Sequence, residues 1–179
     1  MLIAKPQEAP ASLAELAAWV VKDGVALGGL SPGLREQALG VAWSGLPTGV
    51  MNEKAVNVAL LAQLAGAARF LDTDHVELRR WLVDGGWLKR DGFGREYHRV
   101  PLQDLSASHQ PVAAALAAVD VAAWVQSLHA RLGAARESRR HAWQATQGTA
   151  PAAALQRGDR GDRGQRGQRG QRGQRGDLA

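Results

Sequence analysis

The cations Arg79, Arg80, Lys89, Arg90, Arg95 and Arg99 are the side chains whose type and spacing suggest chemistry, and that chemistry is contact with a polyanion. Guanidinium and ammonium groups hold phosphates, and a guanidinium can also fork onto a guanine edge. At about 100° per residue in a helix, Leu78 and Leu82 set a buried direction. Arg80, Glu77 and Asp84 then point outward, and Arg79 stands at the boundary. Arg80 is placed to reach a base edge and Arg79 a phosphate. In the stretch that follows, Lys89, Arg90, Arg95 and Arg99 outnumber Asp91 and Glu96, with Phe93 among them. Two acids count against deep groove insertion, because Glu77 and Asp84 share the outward face and repel phosphates. The same charges also suit a solvated face in which Glu77 and Arg80 pair at i, i+3.

Other chemistries fit less well. Gly29-Leu30-Ser31-Pro32-Gly33 spells a nucleophile elbow. That motif needs the residue after serine to donate its backbone N–H to an oxyanion, and Pro32 has none. A Ser-Pro helix start explains the same letters. The histidines His75, His98, His109, His129 and His141 are scattered, with no HExxH. Asp72, Asp74, His75 and His98 are the one grouping that could converge as a nitrogen and oxygen metal site. Helix capping by Asp72 or Asp74 is the simpler account. There is no P-loop or GxGxxG, and neither a cofactor nor a small-molecule ligand is identifiable.

These cations need elements to carry them. Phe70 to Val100 reads as a helix, a tight stop and a basic β-hairpin. Asp74 caps the helix, with Glu77 completing a capping box, and Gly85-Gly86 supplies left-handed conformations to end it. Trp87 to Arg90 and Arg95 to Val100 form the strands across Asp91-Gly92-Phe93-Gly94, and Pro101 stops the ladder. This is the back half of a winged helix-turn-helix. Met51 to Gly66 forms the supporting helix through Val56, Leu60 and Leu64, with Asn57 beside that stripe. Pro47-Thr48-Gly49-Val50 can lend a strand to the hairpin.

From about Met51 to Val100 the chain resembles the prokaryotic domain of unknown function 2087. The likeness lies in Glu53-Lys54-Ala55-Val56-Asn57, Asp74 and Leu78-Arg79-Arg80-Trp81-Leu82-Val83-Asp84. It continues in Gly86, Leu88, Arg90, Asp91-Gly92 and Tyr97. The resemblance implies a small winged-helix-like module, which in other members can follow a DNA-binding regulator of the arsenic-repressor type. It implies no catalytic residues.

Upstream, Ser12-Leu13-Ala14-Glu15 opens a helix to about Lys22, carried by Leu13, Leu16 and Val20. Val25 to Leu30 is a loop or short strand. Ser31-Pro32 starts a helix reaching Ser44. Downstream, a polar linker from Gln103 to Gln110 leads into one long alanine-rich helix from Pro111 to about Gln147, bent at Gly133. Its stripe of Val121, Val125, Leu128 and Leu132 could pair two copies of the chain. Six tryptophans lie in almost every predicted element. Trp143, beyond the stripe, is the one expected to meet a partner.

The formal charge of +5 over 179 residues is unevenly placed. Residues 1–156 hold 15 Lys and Arg against 14 Asp and Glu, whereas residues 157–179 hold 7 Arg against 3 Asp. In that tail glycine recurs every third position without proline between, which suits disorder better than a collagen helix. Cysteine is absent, so no thiolate or disulfide chemistry is available. No apolar run of signal-peptide or membrane-spanning type occurs, and the cytoplasm is expected.

The expected fold is therefore mainly α, with a winged helix-turn-helix-like core of three helices plus a β-hairpin. Its parts are an N-terminal helical region (1–47), the core (48–105), a long C-terminal helix (106–147) and a disordered Gly/Arg-rich tail (148–179). The expected function is non-enzymatic binding of double-stranded DNA by Arg79, Arg80, Lys89, Arg90, Arg95 and Arg99, in a transcriptional regulator. A protein-interaction module of winged-helix shape is the rival.

Overall fold

The computed structural model describes residues 13–147. The chain divides into two units, Met1–Arg139 and Arg140–Ala179, and the account below concerns the first unless stated. Helix α1 spans Ala14–Val20 and α2 spans Pro32–Ser44. Strand β1 (Val50–Asn52), helices α3 (Glu53–Ala65) and α4 (His75–Asp84), and strands β2 (Leu88–Arg90) and β3 (Glu96–Arg99) follow. Helices α5 (Gln110–Ala117) and α6 (Val121–Gln147) close the described chain. Ser12 of the predicted capping box and the glycine-repeat tail lie outside the described residues.

Helix α2 is the hub. It buries Leu34, Ala38, Leu39, Val41, Ala42 and Trp43 on most of its circumference because α1, α3, α4 and α5 all pack on it. Pro32 occupies its first turn, where a missing N–H costs nothing. The Ser31 side chain makes no cap bond; Arg35 holds the entry instead, donating to Leu27 O (2.8 Å) and Leu30 O (3.0 Å). Gly40 lets α5 come close, since a Cβ there would lie 2.9 Å from Leu116 Cδ1.

The sheet is antiparallel with order β1-β3-β2. Met51 pairs with Tyr97, Arg90 with Tyr97, and Leu88 with Arg99. Paired residues share a face and alternate along the strand, so Met51, Leu88, Tyr97 and Arg99 turn toward the core. Val50, Lys89, Glu96 and His98 take the outer face. The helix predicted from Met51 thus begins only at Glu53. Met51 is needed on the strand, and Asn52 caps α3 by accepting from Ala55 N (2.8 Å).

Leu78 and Leu82 are fully buried, as the helical spacing requires. Asp74 Oδ1 caps α4 by accepting from Val76 N and Glu77 N, both at 2.8 Å. The reciprocal half of the predicted capping box is not made. The Glu77 carboxylate accepts instead from Thr73 Oγ1 (3.0 Å) and Trp81 Nε1 (3.3 Å). Of the glycine pair that ends α4, Gly86 alone is left-handed, at φ 74°. Gly85 continues the right-handed turn.

The single long C-terminal helix is corrected to two, α5 and α6, meeting at 81°. Asp120 restarts the helix, its Oδ1 accepting from Ala123 N (3.0 Å) and its carbonyl from Trp124 N (2.8 Å). The corner carries Trp124 and Val125 into the core, while α6 runs on as helix through Gly133. The predicted apolar stripe thus packs on the protein's own body as far as Leu128. Trp43, Trp87 and Trp124 are core anchors, with Trp43 and Trp87 rings 5.5 Å apart. In the second unit, Trp143 is exposed. No single helix among the described residues is long and apolar enough to cross a membrane.

Candidate nucleic-acid interface

Helix α4 and the β2–β3 hairpin bring four of the six predicted cations to the surface: Arg80, Lys89, Arg90 and Arg95 are exposed. Arg80 projects from α4 one turn after Val76. Arg90 ends β2 on the inner face, beyond the reach of the core. The two line one cleft of about 430 Å³ together with Val76, Arg79, Val83 and Tyr97. Asp84 stands in the same cleft. Lys89, in β2, lies on the outer face of the ribbon and pairs with His98 of β3. Arg95 sits at the hairpin tip, its guanidinium 5.7 Å from the Phe93 ring.

The other two arginines are held inside the protein. Arg79 has a side chain only 15% exposed. Its Nη1 donates to Asn57 Oδ1 and lies 3.0 Å from Glu53 Oε1, and its guanidinium covers Tyr97 at 5.3 Å. It ties α4 to α3 and β3. Arg99, on the inward face, lies 4.1 Å over the Trp43 ring and donates through Nη1 to Leu46 O (3.2 Å). Desolvation by burial lowers its pKa from the ordinary arginine value.

The hairpin turn absorbs one acid. Asp91 Oδ1 accepts from Arg95 N (2.7 Å) and Glu96 N (3.1 Å), and Gly94 is left-handed at φ 70°. The bond from Glu96 N, followed by that from Arg95 N, holds the Asp91 carboxyl below the usual carboxylate range. Asp74 is lowered likewise, chiefly by the bond from Glu77 N and then that from Val76 N. Both anions are satisfied by backbone N–H groups rather than by the arginines.

A second groove was not foreseen. Phe93, 85% exposed, faces Val58 (59%) and Leu61 (50%) of α3 across it. These two lie off the Val56–Leu60–Leu64 stripe, a departure visible in the sequence. Asp72, Asp74, His75 and His98 do not gather: no group of three or more His, Asp or Glu that could hold a metal ion occurs among the described residues.

The order helix, strand, helix, helix, strand, strand, with a β1-β3-β2 antiparallel sheet, defines a small mainly helical domain compatible with a winged helix-turn-helix-like core. Residues 32–99 of it match the model of the domain of unknown function 2087 family, described as an uncharacterized protein conserved in bacteria. The matched stretch begins earlier than the resemblance in the sequence suggested. It takes in all of α2, the hub on which α3 and α4 pack. Both grooves lie inside it, while α1, α5 and α6 lie outside. No curated protein and no solved structure matches the chain.

Proposed function

We propose that this chain is a non-enzymatic, double-stranded-DNA-binding regulator that presents α4 and its hairpin to the duplex. Arg80, Lys89, Arg90 and Arg95 make the phosphate and base contacts, while Arg79 and Arg99 position the helix and ribbon that carry them. The observation that supports this best is the mainly polar cleft between α4 and β2, which Arg80 and Arg90 line together with Arg79 and Asp84. Of the acids nearby one is offset by an arginine, while the others, Glu77 and Asp84 included, keep their charge. Glu53 is paired with Arg79, and Asp74 and Asp91 accept backbone N–H groups. The tail arginines beyond Arg157 would add affinity that is independent of sequence. Titrating a labelled mixed-sequence duplex with a chain ending at Thr149, at several salt concentrations, tests the reading. Salt-insensitive binding, or none, ends it.

One observation favours the interaction-module alternative: the exposed Phe93, Val58 and Leu61 present an apolar surface that a phosphate backbone does not need. Under that reading duplex affinity is absent, and Phe93→Ser with Leu61→Ser changes the protein's association in sedimentation.

A further inference from the structure

A third cleft lies between the end of α2, the end of α3 and the α5–α6 corner. It measures about 490 Å³ and is lined by Arg99, Trp43, Gln63, Leu116, Asp120 and Ala122 among others. Nearly every polar group here is already engaged. Trp43 Nε1 donates to Val100 O (3.0 Å), Gln63 Nε2 to Gly45 O (3.3 Å), and Asp120 Oδ1 accepts from Ala123 N. Arg99 is the exception. Its Nη1 has the Leu46 carbonyl, but its Nε is buried without a partner. The ion pairs among the described residues are Arg79–Glu53 and His109–Glu36, so no carboxylate among them stands within ion-pair distance of Arg99, although Asp120 lines the same cleft.

A half-buried cation without a counter-ion is costly to keep, because it loses hydration and gains little in return. The cost is offset when a carboxylate or similar anion enters and takes the free N–H groups in a charge-assisted pair. Ser44, Gln63 and Asp120 share the lining with Ala62, Ala67, Leu116, Val119 and Ala122, and these last give a compact hydrocarbon body one apolar wall to lie against.

We infer that this cleft is a ligand site for a small organic carboxylate with an apolar body, bound through Arg99 against Trp43. The site joins the family segment, which supplies Trp43, Gln63 and Arg99, to helices outside it, which supply Leu116 and Ala122. Arg99 also lies on β3, the strand that carries Tyr97 beneath Arg79. The inference does not depend on DNA binding, since this cleft and the one that Arg80 and Arg90 line share no lining residue.

The test is a two-dimensional NMR titration of the full chain with benzoate and with isobutyrate, using benzamide as the neutral counterpart of the first. At least one acid should shift the Trp43 indole N–H and the Gly66 and Ala122 amides saturably, and benzamide should not. Ala122→Leu, which fills the cleft from an exposed helical position, should weaken the acid by about tenfold or more, as should Arg99→Gln. If Arg99→Gln fails to fold, Ala122→Leu decides. Equal shifts from benzamide, acid binding unchanged by Ala122→Leu, or no shift from either acid would overturn the assignment.

Discussion

Replacing Arg80 and Arg90 together by alanine tests the proposed interface most directly. The pair reach into one cleft from two elements and make no bond that the fold depends on. If the four exposed cations each neutralise one phosphate, the logarithm of the association constant falls against the logarithm of salt with a slope of about −3.6. From about 50 to about 200 mM salt the affinity of the parent then drops about 150-fold. Removing two contacts should bring the slope to about −1.8 and the drop to about 12-fold. Fluorescence anisotropy of a labelled duplex reads both slopes, provided the chain ends at Thr149 so that the tail arginines do not contribute. Arg79→Ala is the internal control: it should lower stability while leaving the slope in place once the protein is folded. Two slopes that coincide would refute the placement of phosphates in this cleft, whatever the absolute affinity.

Asp84 shares that cleft, so Asp84→Asn should raise duplex affinity severalfold at low salt and steepen nothing else, as the same anisotropy assay would report; unchanged affinity would place the phosphates elsewhere. Arg79→Ala should cost about 1–3 kcal/mol in chemical denaturation, from an unpartnered Asn57 and lost stacking on Tyr97. In a double-mutant cycle with Glu53→Gln the ion pair itself should account for less than about 1 kcal/mol, since Glu53 is 58% exposed. The Asp74 carboxyl titrates lower folded than its unfolded value of about 3.9. Its stabilisation is therefore complete above that value and lost as pH falls through the folded pKa. Asp74→Asn keeps a capping oxygen, so melting near neutral pH should change little and the acid loss should shrink. Parallel acid curves for parent and variant would contradict that assignment.

Local signals were legible wherever a few adjacent residues decide the outcome. Asp91-Gly92-Phe93-Gly94 gives the hairpin, and Asp74 gives the start of α4, because each turn is satisfied by its own side chain and backbone. The corner before α6 was missed for a different reason. No proline or glycine interrupts the alanine-rich run from Ala113 to Ala123, so propensity alone carries one helix straight through. What breaks it is Asp120, whose side chain competes for Ala123 N, together with the burial that Trp124 and Val125 gain by turning back. An aspartate three residues before that amide was a capping signal in plain view, outweighed by its neighbours. Gly133 drew the bend instead, although an exposed glycine within a long helix costs only about 1 kcal/mol and need not distort it.

The candidate site shows why charge type alone does not assign an arginine. Arg90, Arg95 and Arg99 read alike in the sequence, but strand alternation and register give them different surroundings. Arg99 pairs with Leu88 and follows it inward onto Trp43, whereas Arg90 shares the inner face yet ends its strand where α4 leaves a cleft. Arg79 is drawn in by Asn57 and Glu53, which reach it only because α3 lies across α4, a tertiary fact absent from local spacing. The near-neutral charge of residues 1–156 is for the same reason a poor guide to the interface. At a Debye length of about 10 Å in 0.1 M salt, a phosphate on α4 responds to Arg80, Arg90 and Asp84 rather than to the sum over the body. What a phosphate could meet on this surface depends on which side chains packing leaves uncovered, and packing takes Arg79 and turns Arg99 away from the α4 cleft.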